Sequence, residues 1–197
     1  MRAFLDFEAS SLAKQSYPIE VAWVFEDGVS ETHLIRPAPD WDDWDPRSAE
    51  IHHIERATLL AEGESHQAVA QRMVEALTGH ALFASAPSWD GKWLSTLLRA
   101  AGLPRHSLRL RATEAARIEA AIEVLKPAVP PAALSRAVKE TLVLAELRGG
   151  RTPPLHRALA DAQRERDSWM CVRDVALERA AAERAEAQAA PASTSSS

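Results

Sequence analysis

Two carboxylates interrupt an otherwise apolar, strand-like stretch near the start of the chain: F-L-D-F-E-A-S, residues 4–10, sets Asp6 and Glu8 among Leu5, Phe7 and Ala9. Side chains on a strand alternate faces, so Asp6 and Glu8 point the same way about 7 Å apart, and Leu5 and Phe7 point the other way. Like charges held close repel and are costly to desolvate unless a cation lies between them. The chemistry this pair suggests is therefore a metal site. A solvated strand end can carry the same pair, so the pair alone leaves both readings open.

Two later stretches add groups of the same kind. Asp90 lies in S-A-P-S-W-D-G-K-W-L, at the start of a helix flanked by Trp89 and Trp93. A carboxylate there also complements a helix dipole, by about 0.3 to 1 kcal/mol. L-H-R-A-L-A-D, residues 155–161, follows Pro153 and Pro154 and carries His156 and Asp161. Five residues of regular helix turn through about 500°, which leaves the two side chains about 140° apart with a rise of about 7.5 Å. They reach one metal together only if His156 sits in the loop or first turn and Asp161 points inward from the helix.

The elements that must position these groups follow from periodicity and turn residues. Residues 2–7, 17–25 and 29–36 read as three strands, with a hairpin turn centred on Asp27-Gly28, which predicts an antiparallel meander. The run P-A-P-D-W-D-D-W-D-P, 37–46, reads as an exposed acidic loop. A helix over 64–77 with Ser65 as a cap, a strand over 81–85, a helix over 88–104 closed by Gly102 and Pro104, and a strand over 107–112 come next. The remainder is predicted helical over 114–125, 131–147, 155–167 and 168–188. The order is that of a mixed α/β sheet covered by helices. One compact domain over 1–177 is expected, followed over 178–197 by an Ala/Glu/Arg-rich helical extension and a disordered Ser-rich tail.

In this order, D-x-E on the first strand, an aspartate opening a mid-chain helix and H-x-x-x-x-D on a late helix make the chain resemble the DEDDh class of 3'-5' exonucleases. That group contains the proofreading epsilon subunit of bacterial DNA polymerase III and oligoribonuclease. I-H-H-I-E-R-A-T-L, 51–59, is similar to the family's His-Gly-Ile segment, with His53 where glycine is usual. The resemblance covers residues 3 to about 170. It implies a ribonuclease H-like fold with a mixed five-stranded sheet. It further implies that Asp6, Glu8, Asp90 and Asp161 ligate two divalent cations, magnesium or manganese, with His156 as general base. Hard oxygen ligands suit these ions, and two of them can stabilise the attacking and leaving oxygens of an in-line phosphodiester displacement. A neutral imidazole can take a proton from the attacking water at neutral pH. The expected partners are 3' ends of single-stranded nucleic acid, and the expected products are nucleoside 5'-monophosphates.

Departures from the family pattern fall around the ligands. The usual Asp-x-Glu-Thr-Thr-Gly is replaced after Glu8 by Ala9, Ser10, Ser11 and Leu12, and Ser85, Pro87 and Trp89 stand near Asp90 where Asn and Phe are common. The resemblance implies substrate contacts from Ala9, Ser10, Leu12 and His52. Of the two indoles, Trp89 is expected in the core and Trp93 against a base. Arg157, with Arg148 and Arg151, and a second group of Arg105, His106, Arg109 and Arg111, are the candidates for backbone phosphates.

Charge and composition limit the alternatives. The net charge is -5, and residues 1–60 hold 12 acids against 5 bases while residues 61–197 hold 16 against 18. Coating nucleic acid by bulk charge is therefore disfavoured, because counterion release needs clustered cations. One cysteine, Cys171, permits no internal disulfide, which makes a reducing cytoplasm the expected compartment. No stretch is long and apolar enough for a membrane span or a secretory signal. A stand-alone nuclease is expected, a homodimer among its assemblies, with RNA or short oligonucleotides weakly preferred over DNA. The competing reading is a catalytically weak module that binds nucleic-acid ends or proteins and keeps the fold.

Overall fold

The computed structural model describes residues 1–150 and 153–189. Strands β1 (Arg2–Ala9), β2 (Pro18–Phe25) and β3 (Ser30–Arg36) form the antiparallel meander. Asp27 and Gly28 make its second turn, with Gly28 at φ 95° and the Asp27 side chain accepting from the Val29 amide. Next come α1 (Pro46–His52), α2 (Arg56–Glu62), β4 (Glu64–Ser65), α3 (His66–Leu77), β5 (Ala81–Ala84), α4 (Pro87–Ala100) and β6 (Leu110–Ala112). The chain then runs through α5 (Thr113–Leu125), α6 (Pro131–Gly149) and α7 (Ala158–Ala189).

The strands form one mixed sheet in the order β4-β3-β2-β1-β5-β6. Five were expected; the sixth, β4, is two residues long and pairs parallel to β3. β1 pairs antiparallel with β2 on one side and parallel with β5 on the other. The chain therefore leaves β1 towards β2 and β3 on one side and later adds β5 and β6 on the other, which makes the carboxyl end of β1 a switch point of the kind where open α/β sheets bind ligands. β5 stops at Ala84, opposite Leu5, while β1 runs on to Ala9, so the last turn of β1 faces no strand on that side.

Strand alternation sorts the residues of β1 and β2. Ala3, Leu5, Phe7 and Ala9 join Ile19, Val21 and Trp23 in a core that also takes in Met73, Leu77, Trp93, Leu94 and Leu97. Asp6, Glu8 and Glu20 lie on the other face, because Glu8 is the direct partner of Glu20 and Asp6 of Ala22.

The chain divides into two compact units. The first is Met1–Thr113 with Pro153–Arg166, and the second comprises 114–150 and 167–189 of the described residues. The second has its own apolar core, in which Leu125, Val129, Val138, Val172 and Val175 pack together. Helix α7 runs unbroken for 32 residues where two helices were expected, and the expected boundary at 177/178 falls inside it. The Ser-rich tail at 191–197 and Arg151 lie outside the described residues. Among the described residues no helix is long and apolar enough to cross a membrane.

The acidic run 37–46 is a loop with Asp40 and Asp42 exposed, as its composition predicts, but part of it is tied down. Trp41 is buried and stacks on Tyr17 at 5.1 Å, Asp43 accepts from the hydroxyls of Ser10 and Ser11 at 3.0 and 2.6 Å, and Asp45 caps α1. The run is a strap tied to the β1–β2 connection, because the Trp41 ring gains by burial against Tyr17 and the Ser10 and Ser11 hydroxyls offset the partial desolvation of Asp43.

Candidate metal centre

The first unit brings the five sequence-selected groups to the carboxyl end of β1. Asp6 and Glu8 come from the strand itself. Asp90 arrives on the first turn of α4, where its carboxylate reaches back to the amide of Ala86 at 3.2 Å. The Phe7 backbone, lacking a strand partner beyond Ala84, also bonds Asp90. Asp90 thus fills the gap that β5 leaves by stopping early, and it is 2% exposed.

Asp161 enters from α7, 3% exposed, and accepts the backbone amides of Leu155 at 3.0 Å and His156 at 2.9 Å. These bonds fold the segment before α7 back over its first turn. His156 lies outside the helix at φ 53°, a left-handed backbone uncommon for any residue but glycine. One ligand atom from each of Glu8, His156 and Asp161 lies within 4.8 Å of the other two. Five residues of regular helix would have kept His156 and Asp161 apart; the left-handed residue brings them together.

The electrostatics are those of a cation site. Burial pushes the Asp6 carboxyl up to about 9, with Asp90, Glu8 and Asp161 adding to the shift and Arg164 opposing it. Glu8 is raised to about 8, by burial first and then by Asp161 and Glu20. Asp90 is raised to about 7 by burial, against the pull of backbone donors at Ala86 and Phe7. The set is oxygen-rich and short of positive charge, which fits a divalent cation. Asp6, Glu8, Asp90 and Asp161 would hold the ions, which would supply the charge that lets these acids ionise together at neutral pH.

The residues expected at the substrate divide differently. Leu12 is 70% exposed beside β1, open to contact. Ala9 ends β1 at a bulge and is 8% exposed. Ser10 is fully buried, its hydroxyl donating to Asp43 and accepting from the Tyr17 amide, so it holds the loop together and is not presented to substrate. Trp93 is 7% exposed and donates to Ser16 at 3.1 Å; it belongs to the core, where the helical spacing of Trp93, Leu94, Leu97 and Leu98 turns it inward. Trp89 is the exposed indole, at 39%, with the Lys92 ammonium 5.1 Å from its ring centre. The expected assignment of the two indoles is reversed. His52 is buried beneath Trp44, and burial lowers its pKa to about 4. Its Nδ1 accepts from the Ile54 amide, which leaves Nε2 as the protonated nitrogen, buried and without a partner. His53 caps α1 at φ 56°, which explains why glycine suits that position.

Arg157 is already engaged. It donates Nε and Nη2 to Glu20, the shortest contact being 2.7 Å. Arg148 pairs with Glu178, and Arg111 lies over the Phe83 ring at 5.1 Å. Three charged residues around the site escaped the sequence reading. Glu20 stood as a lone acid in P-I-E-V-A-W-V-F, the same signal that marked Asp6 and Glu8. Arg164 donates to Asp161 at 2.7 Å, one helical turn on, and Glu165 raises the Asp90 pKa.

Neither a protein-family model nor a curated protein sequence matches the chain. Solved structures do. The zinc form of E. coli exonuclease I with single-stranded DNA aligns with TM-score 0.61 at 18% identity, covering 88% of this chain and 40% of that one. E. coli exonuclease I with a dA16 oligonucleotide aligns with TM-score 0.62 at 16% identity, covering 91% and 42%. A moderately thermophilic exonuclease I from Methylocaldum szegediense aligns with TM-score 0.61 at 16% identity, covering 94% and 44%. This chain spans about two-fifths of the length of those proteins. Its mixed sheet and flanking helices are the exonuclease fold.

Proposed function

We propose that the chain is a metal-dependent 3'-5' exonuclease that hydrolyses phosphodiester bonds at the 3' end of single-stranded nucleic acid and releases nucleoside 5'-monophosphates. The observation that carries this reading is the meeting of Asp6, Glu8, Asp90, Asp161 and His156 from three separated segments at the carboxyl end of β1. Divalent ions held there would neutralise the charge that develops on the phosphoryl group. The chain's own residues do the rest. His156, exposed and held at the rim through its backbone bond to Asp161, takes the proton of the attacking water. Leu12 and Trp89 offer apolar surface to the terminal bases.

DNA is the substrate favoured by the likeness to exonuclease I solved with dA16 and with single-stranded DNA, against the weak lean of the sequence reading toward RNA. The test is a time course with manganese and 5'-labelled single strands of DNA and RNA of identical sequence, run beside Asp6→Ala. A ladder shortening from the 3' end, absent in the variant, is the expected result, with DNA the faster. No shortening by a folded protein would instead favour a module that binds ends without cutting them.

A further inference from the structure

We infer that Glu20 and Arg157 form a clamp whose task is to position His156, and that Arg157 is not a phosphate contact. The inference rests on His156 being the base.

Glu20 is a third carboxylate on the acidic face of the sheet, directly opposite Glu8 and 2% exposed. An unneutralised acid there would only add repulsion, and it does raise the pKa of Glu8. Its oxygens are instead taken up by Arg157. Nε reaches Oε1 at 3.3 Å and Oε2 at 3.2 Å, and Nη2 reaches Oε1 at 2.7 Å. Oε2 also accepts the amide of Ala158, the first residue of α7, at 2.9 Å. A carboxylate held by a planar guanidinium and a helix amide is well compensated for burial and poorly placed to ligate a metal.

The consequence falls on the residue between these contacts. His156 is followed by Arg157 and Ala158, both pinned to Glu20, and its own amide and that of Leu155 are pinned to Asp161. Its left-handed backbone is therefore held from both sides: β2 fixes the chain after it and α7 fixes the chain before it. A strained conformation persists only where its surroundings over-determine it. Arg157, half exposed along its side chain, is the lever that ties a surface loop to a buried acid.

The test compares Glu20→Gln, Arg157→Lys, Arg157→Gln and the double variant Glu20→Gln/Arg157→Lys. Lysine keeps the charge but loses the planar fork. If the pair is a clamp, each single variant lowers kcat by roughly 10- to 100-fold, as loss of an outer positioning contact does, with KM and manganese affinity unchanged. The double variant then falls no further than the worse single one. If Arg157 binds a backbone phosphate, Arg157→Gln raises KM and weakens the salt dependence while Glu20→Gln leaves kcat alone; that outcome overturns the clamp.

Amide hydrogen exchange supplies a readout that does not depend on activity. The His156 and Ala158 amides should exchange faster in Glu20→Gln and Arg157→Lys while those of β1 keep their protection. Unchanged exchange in both variants overturns the clamp even if the wild type proves to have no nuclease activity, whereas faster exchange in an inactive wild-type background sinks the proposed function alone. Should Glu20→Gln fail to fold, Arg157→Lys, altered only at a half-exposed side chain, carries the same comparison.

Discussion

The backbone amide of His156 donates to Oδ2 of Asp161 across 2.9 Å, so the candidate base and a candidate metal ligand are joined by the main chain and not only by a shared substrate. Losing the Asp161 carboxylate should therefore disturb two functions at once. Asp161→Asn keeps an acceptor for one of the two amides and should abolish cleavage with the loop in place. Asp161→Ala should abolish it and also speed amide exchange at Leu155 and His156. His156→Ala removes only the proton acceptor and should lower kcat by about 10² to 10⁴ with manganese affinity retained. Wild-type cleavage in any of these would remove the residue from the site.

Stability without metal should fall as pH rises. Asp6, Glu8 and Asp90 have folded-state pKa values of about 9, 8 and 7 against ordinary values near 4. Between those limits the folded protein holds more protons than the unfolded chain, so unfolding becomes easier with increasing pH. The loss is at most about 1.4 kcal/mol per pH unit for each group inside its window. Thermal melts in chelator at pH 5 and pH 9 should show a lower Tm at pH 9, and manganese should restore most of the difference. A Tm that rises over the same interval would contradict the buried-acid account.

Among the described residues, Arg164 both bonds Asp161 and holds down the pKa of Asp6. Arg164→Met should lower the Tm in chelator at pH 8 and enlarge the stabilisation given by manganese. An unchanged response to manganese would mean that the guanidinium and the ions do not share these carboxylates.

At His53 the structure predicts a gain. The residue ends α1 at φ 56° and ψ 32°, where glycine has no side-chain penalty. Replacing an exposed histidine there by glycine should stabilise the protein by about 0.5 kcal/mol after allowing for the greater freedom of glycine in the unfolded chain. Urea unfolding of His53→Gly would measure it, and a decrease in midpoint would show that the imidazole has a structural contact of its own.

The two indoles of α4 should behave oppositely. Trp93→Ala removes a buried side chain and its bond to Ser16, and should cost about 3 to 5 kcal/mol in urea unfolding. Trp89→Ala should leave stability nearly unchanged and weaken binding of a single-stranded oligonucleotide by about 1 to 3 kcal/mol, the worth of one stacked base. Equal effects on stability would return Trp89 to the core.

Much of the site was legible because its signals are local. Alternation on β1 put Asp6 and Glu8 on one face, and helical rotation required His156 to leave the helix that carries Asp161; both are statements about residues in one element. The meander could be read from its alternation and its Asp-Gly turn. The helices α1 and α2 could not, since seven residues give too few turns for a periodic signal and their stability comes from packing.

What the sequence by itself determined, then, was which groups carry the chemistry and how neighbours within a strand or helix must face. Only the tertiary structure decided which charges are free. Arg157 is claimed by Glu20, 137 residues away, and Ser10 by Asp43, 33 residues away. Trp89 and Trp93 differ only in which side of α4 the core covers. The reason is physical: periodicity reports geometry inside one element, whereas hydrogen bonding and burial depend on distances in space between residues that the chain order leaves unrelated.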